Sequence, residues 1–134
     1  MQRNFKKDVK SLDEVFTFLG EQMTLLEIPP EPAYAVNLAV EELFTNMVKY
    51  GAGSREDISL SLMRDGEQLI VRLVDHGVDP FDPTATEEVD TSTSLEEKEV
   101  GGLGIHLIKH MLDNIEHTYA DRCNVITIRK NLEH

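Results

Sequence analysis

The chain has 134 residues, enough for one globular core and short of two, so a single domain over residues 1–134 is expected. Acidic residues outnumber Lys and Arg by 25 to 13, giving a net charge of −12, which argues against nucleic acid or an anionic membrane surface as a partner. The lone Cys123 excludes an intrachain disulfide framework and a cysteine-rich metal site, no apolar run is long enough to span a membrane, and a reducing, cytoplasmic setting is the expectation.

Met1 to Lys10 is polar and mixed in charge, without the apolar stretch of a secretory signal. Ser11-Leu12-Asp13-Glu14 reads as a capping box opening a helix to about Leu26, with Leu12, Val15, Phe16, Leu19, Met23 and Leu26 at helical spacing. Ile28-Pro29-Pro30-Glu31-Pro32 breaks it, and Pro32 suits the first turn of a second helix. On that helix Val36, Ala39, Val40, Leu43, Met47 and Val48 form the apolar stripe, and Gly51 with Gly53 marks the end. Glu42, Asn46 and Lys49 or Tyr50, at i, i+4 and i+7 or i+8, share another face. A carboxylate one turn before a carboxamide suits a particular chemistry, in which the amide oxygen ligates a hard cation such as magnesium while the acid accepts a proton nearby. On spacing alone, the same residues also describe the exposed polar face of an amphipathic helix.

The period then changes to two. Ile58, Leu60 and Leu62 alternate, Asp65-Gly66 is a hairpin dipeptide, and Leu69, Val71 and Leu73 alternate again, predicting antiparallel strands over 56–64 and 67–75. The second strand runs into Asp75-His76-Gly77, where a carboxylate can accept from an exocyclic amine and glycine lets the backbone approach a flat ring. Asp-x-Gly is equally a common turn. Val78 to Glu99 is acidic and aperiodic and reads as a mobile loop, suited to a lid. Gly101-Gly102-Leu103-Gly104 follows, opening a helix through Ile105, Leu107, Ile108, Met111 and Leu112, and free N–H groups at such a helix start favour phosphate. His106 and His110 lack the acidic ligand of an H-E-x-x-H zinc site. Ile115–Ala120 and Cys123–Arg129 read as two further antiparallel strands. The order predicts an α+β fold, a two-layer α/β sandwich with a mixed, mostly antiparallel sheet and helices on one face.

Glu-x-x-x-Asn on a helix, Asp-x-Gly after a strand and Gly-Gly-x-Gly opening a helix behind a long loop resemble, in this order, the GHKL (histidine kinase-like) ATPase superfamily. The likeness covers roughly Leu12 to Arg129, and within the superfamily the chain is most similar to the anti-sigma-factor serine/threonine protein kinases. The resemblance implies ATP and Mg2+ as cofactors. It implies Asn46 as the magnesium ligand, Glu42 as general base, Asp75 as reader of the adenine amine and Gly77 as a wall of that pocket. Gly101, Gly102 and Gly104 would cradle phosphates, Lys49 would pair with a phosphate, and Thr127 would lie beneath adenine. Implied partners are a small antagonist (anti-anti-sigma) protein, a sigma factor and a second copy in a homodimer.

Histidine kinases usually carry Asn where Glu42 stands and need a helical domain bearing the phosphoacceptor histidine, for which this length leaves no room. Both points favour the serine-kinase group, where a hydroxyl must lose its proton. A non-catalytic ATP-binding module and a stand-alone ATPase are the alternatives.

Overall fold

The structure, a computed structural model, describes residues 2–50, 56–78 and 100–132. The expected helix end at Gly51 and Gly53, and the acidic segment beyond Val78, lie outside the described residues. Five strands form one antiparallel sheet in the order β1-β2-β3-β5-β4: β1 (Gln2–Phe5), β2 (Ile58–Asp65), β3 (Gln68–His76), β4 (Asn114–Ala120) and β5 (Cys123–Asn131). Three α-helices, α1 (Leu12–Leu25), α2 (Pro30–Tyr50) and α3 (Val100–Met111), and a short 3-10 turn before α1 complete the described elements.

Alternation decides which sheet face the helices cover. Ile58, Leu60 and Leu62 of β2, Leu69, Val71 and Leu73 of β3, and Ile126 and Ile128 of β5 join one core with Val36, Leu43 and Met47 of α2 and Ile108 of α3. Burying each such side chain contributes roughly 1.5–3 kcal/mol. The other face carries half-buried Ile70, Val74 and Val125 around the exposed Arg72.

Four local expectations change. β1 is an additional edge strand, held to β2 with Phe5 opposite Ile58, and Phe5 is its single buried residue. In α1 the buried aromatic is Phe18, whose ring meets Phe5 edge-on at 5.7 Å, while Phe16 faces outward. Ser11 makes no side-chain cap; Asp8 instead accepts from the Lys10 N–H at 2.9 Å and caps a short 3-10 turn, Val9–Ser11. The β2–β3 turn falls one residue later than expected, at Gly66-Glu67, and Gly66 supplies the positive φ of 60° that its first position needs.

Candidate functional site

Three elements bring their chemistry to one end of the sheet. Ile58, Asp75, Asn124 and Tyr119 stand in one row across β2, β3, β5 and β4. At the opposite end, by the β2–β3 turn, Arg64 Nη1 donates to the Leu26 and Glu27 carbonyls, each at 2.9 Å, and pins the corner between α1 and α2. From that corner α2 runs its 21 residues, about 30 Å, back toward the Asp75 row, and the chain re-enters the sheet at Ile58 in that row. The C-terminal half of α2, with Glu42 and Asn46, therefore lies toward Asp75. The end of α3 is fixed at the far side, where Lys130 Nζ donates to the Met111 carbonyl at 2.8 Å and the Asp113 N–H donates to that of Arg129 at 3.1 Å. From there α3 runs its 12 residues, about 18 Å, away from that end of the sheet, and its first turns contain Gly101, Gly102 and Gly104. The three glycines lie inside the helix, whereas the sequence reading has them in a turn before it.

Asp75 continues the inward series Leu69, Val71, Leu73, so alternation buries a carboxylate as it buries the leucines, at 0% exposure. Its Oδ1 accepts from Lys7 Nζ at 2.7 Å. Its Oδ2 is buried with no hydrogen-bond partner. Burial raises the Asp75 pKa, opposed by the Lys7 hydrogen bond and charge and by the charge of His76. Directly opposite on β5, Asn124 is equally buried; its Oδ1 contacts His117 Nε2 at 2.8 Å, and its Nδ2 has no partner. An unspent acceptor and an unspent donor thus face the helix layer side by side. Leaving two buried polar atoms unpaired costs about 1–3 kcal/mol each, which a ligand edge bearing an amine beside a ring nitrogen, as adenine does, recovers. This acceptor–donor pair fits the amine-and-ring-nitrogen edge of adenine.

Gly77 follows with φ 68°, a left-handed conformation that turns the chain away directly after the strand. The next residue is tied down twice: the Val78 N–H donates to the Arg122 carbonyl at 2.9 Å, and the Tyr119 hydroxyl donates to the Val78 carbonyl at 2.7 Å. Arg122 Nη2 also reaches the Gly77 carbonyl at 3.3 Å. The β4–β5 turn that makes these contacts possible uses Asp121 and Arg122, both at positive φ.

On α2, Asn46 is nearly buried at 6% exposure, Glu42 is half-buried and Lys49 is exposed. Burial raises the Glu42 pKa, the neighbouring Glu41 charge raises it further, and Lys49 acts against both. A carboxylate with enhanced proton affinity, one turn before a buried carboxamide, fits a proton acceptor beside a cation ligand. Thr127 does not join the cluster. It lies opposite Arg72, on the sheet face away from the helices, because it is three residues from Asn124 and strand side chains alternate. Asn124 and Lys7 are the site residues that sequence reasoning missed. Among the described residues no group of three His, Cys, Asp or Glu side chains could hold a metal ion, and His106 and His110 meet only ring to ring at 5.1 Å.

Behind Asp75, on the outer face, Cys123 Sγ lies 3.4 Å from His76 Nδ1, His76 Nε2 lies 3.0 Å from Ser59 Oγ, and Ser59 Oγ donates to Asn4 Oδ1 at 2.8 Å. With the hydroxyl proton committed to Asn4, the His76 Nε2–H donates to Ser59 Oγ, and the Cys123 thiol also lies 3.5 Å from the Asp121 carbonyl as its donor. This chain of contacts ties β1, β2, β3 and β5 together at the end of the sheet that carries Asp75.

Comparison with known proteins gives the same fold. The chain is 30% identical over 91 residues to the sensor histidine kinase YxdK of Bacillus subtilis (strain 168), covering 62% of this chain and 27% of that protein. It is 29% identical over 96 residues to the serine-protein kinase RsbW of Listeria monocytogenes serovar 1/2a, covering 68% of this chain and 61% of RsbW. The chain thus spans between about a quarter and three fifths of these relatives' lengths. Among solved structures, the Acinetobacter baumannii histidine kinase AdeS shares the fold, with a TM-score of 0.55 and 14% identity over all of this chain and 68% of that one. With residues 5–130 matching the family described as the histidine kinase-like ATPase domain, and with a sheet-and-helix fold shared with AdeS, the chain belongs to that family.

Proposed function

We propose that the protein is an ATP- and magnesium-dependent serine/threonine protein kinase of the anti-sigma type, acting in the cytoplasm on a small antagonist (anti-anti-sigma) protein and, when free, sequestering a sigma factor. The observation that carries the reading is Glu42. A half-buried carboxylate with raised proton affinity, one turn before the buried Asn46, is what removal of a proton from an attacking hydroxyl requires. ATP bound there would supply the phosphoryl group. Asp75 and Asn124 would orient the base, Asn46 would hold magnesium, and the first turns of α3 with Lys49 would meet the phosphates. Glu42 would receive the hydroxyl proton as the new oxygen–phosphorus bond forms and the bond to ADP breaks. The likeness to RsbW, a serine-protein kinase, supports this choice of acceptor.

A second reading is favoured by Asn46-Met47-Val48-Lys49-Tyr50, which matches the Asn-x-x-Lys-Tyr pattern of histidine kinases, and by the likeness to YxdK: transfer to a histidine. The test is Glu42→Gln in a radiolabelled-ATP assay with candidate antagonist proteins. The kinase reading expects an acid-stable phosphoprotein with wild-type protein, and transfer reduced at least about 100-fold in Glu42→Gln with ATP binding unchanged. Equal transfer by the two proteins, or an acid-labile product, contradicts it.

A further inference from the structure

Lys7 is the buried lysine of a charged run whose other members, Lys6 and Lys10, are exposed. Its side chain is 4% exposed and its ammonium lies 2.7 Å from an oxygen of the fully buried Asp75, sixty-eight residues away. The backbone on both sides is fixed. Before it, β1 pairs with β2 and Phe5 is clamped on Phe18. After it, the Asp8 N–H donates to the Lys6 carbonyl at 2.8 Å and Asp8 caps the 3-10 turn. Phe5 lies opposite Ile58, and Ile58 lies opposite Asp75, so the ladder delivers Lys7 to the carboxylate.

The two oxygens of Asp75 divide their work. Oδ1 is taken by Lys7, and Oδ2 is left with no partner. We propose that Lys7 is a positioning residue for base recognition: by holding Oδ1 it keeps Asp75 ionised and presents Oδ2 as an acceptor-only group that selects a purine with a 6-amino group over one with a 6-oxo group. This rests on the nucleotide-binding reading above. The chemistry follows from burial. A carboxylate out of water without a countercharge takes up a proton, and a protonated carboxyl can donate to a 6-oxo oxygen, so the share of the preference carried by Asp75 would be lost, while the Asn124 Nδ2 donor still favours the bare N1 of a 6-amino purine over the N1–H of a 6-oxo one. The charges acting on Asp75 are Lys7 from the N-terminal segment and His76 from its own strand. The flanking residues are Ile58 on β2 and the neutral Asn124 on β5, with His117 of β4 bonded behind Asn124; Glu42 and Lys49 are the ionisable site groups of α2 at this end.

The experiment is calorimetric titration of Mg-ATP and Mg-ITP into wild type, Lys7→Met and Lys7→Arg at a series of pH values from the acid limit of folding upward. Wild type and Lys7→Arg should prefer ATP by tenfold or more, in line with a hydrogen bond to a charged group at about 1.5–3 kcal/mol. Lys7→Met should show a smaller preference for ATP than wild type, smallest at the acid end, and recover it as pH rises. A folded Lys7→Met that keeps the wild-type ratio at every pH overturns the proposal, as does tighter ATP binding with unchanged selectivity, which would make Lys7 a plug. Binding of neither nucleotide by wild type would overturn the nucleotide reading itself. Wild-type protein alone supplies a second check: carbon-13 titration of the Asp75 carboxyl must give the midpoint at which ATP preference falls, and preference persisting well below it overturns the proposal.

Discussion

Breaking the Lys7–Asp75 pair one partner at a time and then together separates a buried ion pair from two independent contacts. Both side chains are almost fully removed from water, at 4% and 0% exposure, and their contact is 2.7 Å. Lys7→Met keeps the aliphatic stem and leaves a buried carboxylate without its cation; Asp75→Leu leaves a buried ammonium without its anion. Removing one partner of such a pair costs about 3–5 kcal/mol, because the remaining charge stays desolvated. The double variant Lys7→Met/Asp75→Leu replaces the pair with apolar side chains of similar volume and should lie within about 1 kcal/mol of wild type. The expected coupling is therefore at least about 5 kcal/mol, far outside the few tenths by which independent sites depart from additivity. Urea unfolding followed by circular dichroism measures it, with midpoints compared at equal slope. Additive losses in the double variant would refute the buried-pair account and with it the placement of Lys7.

Three other outcomes follow from the same packing. Leu43→Ala, at a fully buried position of α2, should lower unfolding free energy by about 2–5 kcal/mol in the same assay. Gly66→Ala meets no atom within 4 Å but must keep φ near 60°, so thermal unfolding should show a backbone cost of about 1 kcal/mol and no effect on nucleotide binding. The folded pKa of Asp75 is raised above its ordinary 3.8, chiefly by burial, so the native state binds more protons than the unfolded chain between 3.8 and the raised value. Stability should fall as pH rises through that window, Glu42 adds a slope of the same sign from 4.5 upward, and urea titrations of wild type beside Asp75→Asn should show the Asp75 share vanish.

The helices and the central strands were legible because their own residues carry the period. Leu43 and Met47 mark the buried stripe of α2, which puts Glu42 and Asn46 on a defined face, and Leu69, Val71 and Leu73 lead by alternation to Asp75. What escaped depends on contacts distant in sequence. β1 has four residues and buries only Phe5, so nothing local announces an edge strand whose hydrogen bonds come from β2. Lys7 reads as one more exposed lysine until β1 delivers it to Asp75. Thr127 and Asn124 differ by an odd number of positions, and the pairing register, absent from the string of letters, decides which faces the helices. Ser11 lost the cap to Asp8 because a 3-10 turn precedes α1, and Phe18 displaced Phe16 because Phe5 lies on that side.

The central claim is that α2 and the Asp75 row form a nucleotide site, and the most direct test is calorimetric titration of Mg-ATP into wild type and Asn46→Ala. The account predicts saturable binding by wild type in the micromolar to submillimolar range, weakened at least about tenfold in a folded Asn46→Ala, a loss of about 1.4 kcal/mol or more. Absence of binding by folded wild-type protein, or equal affinity in the two, would contradict it.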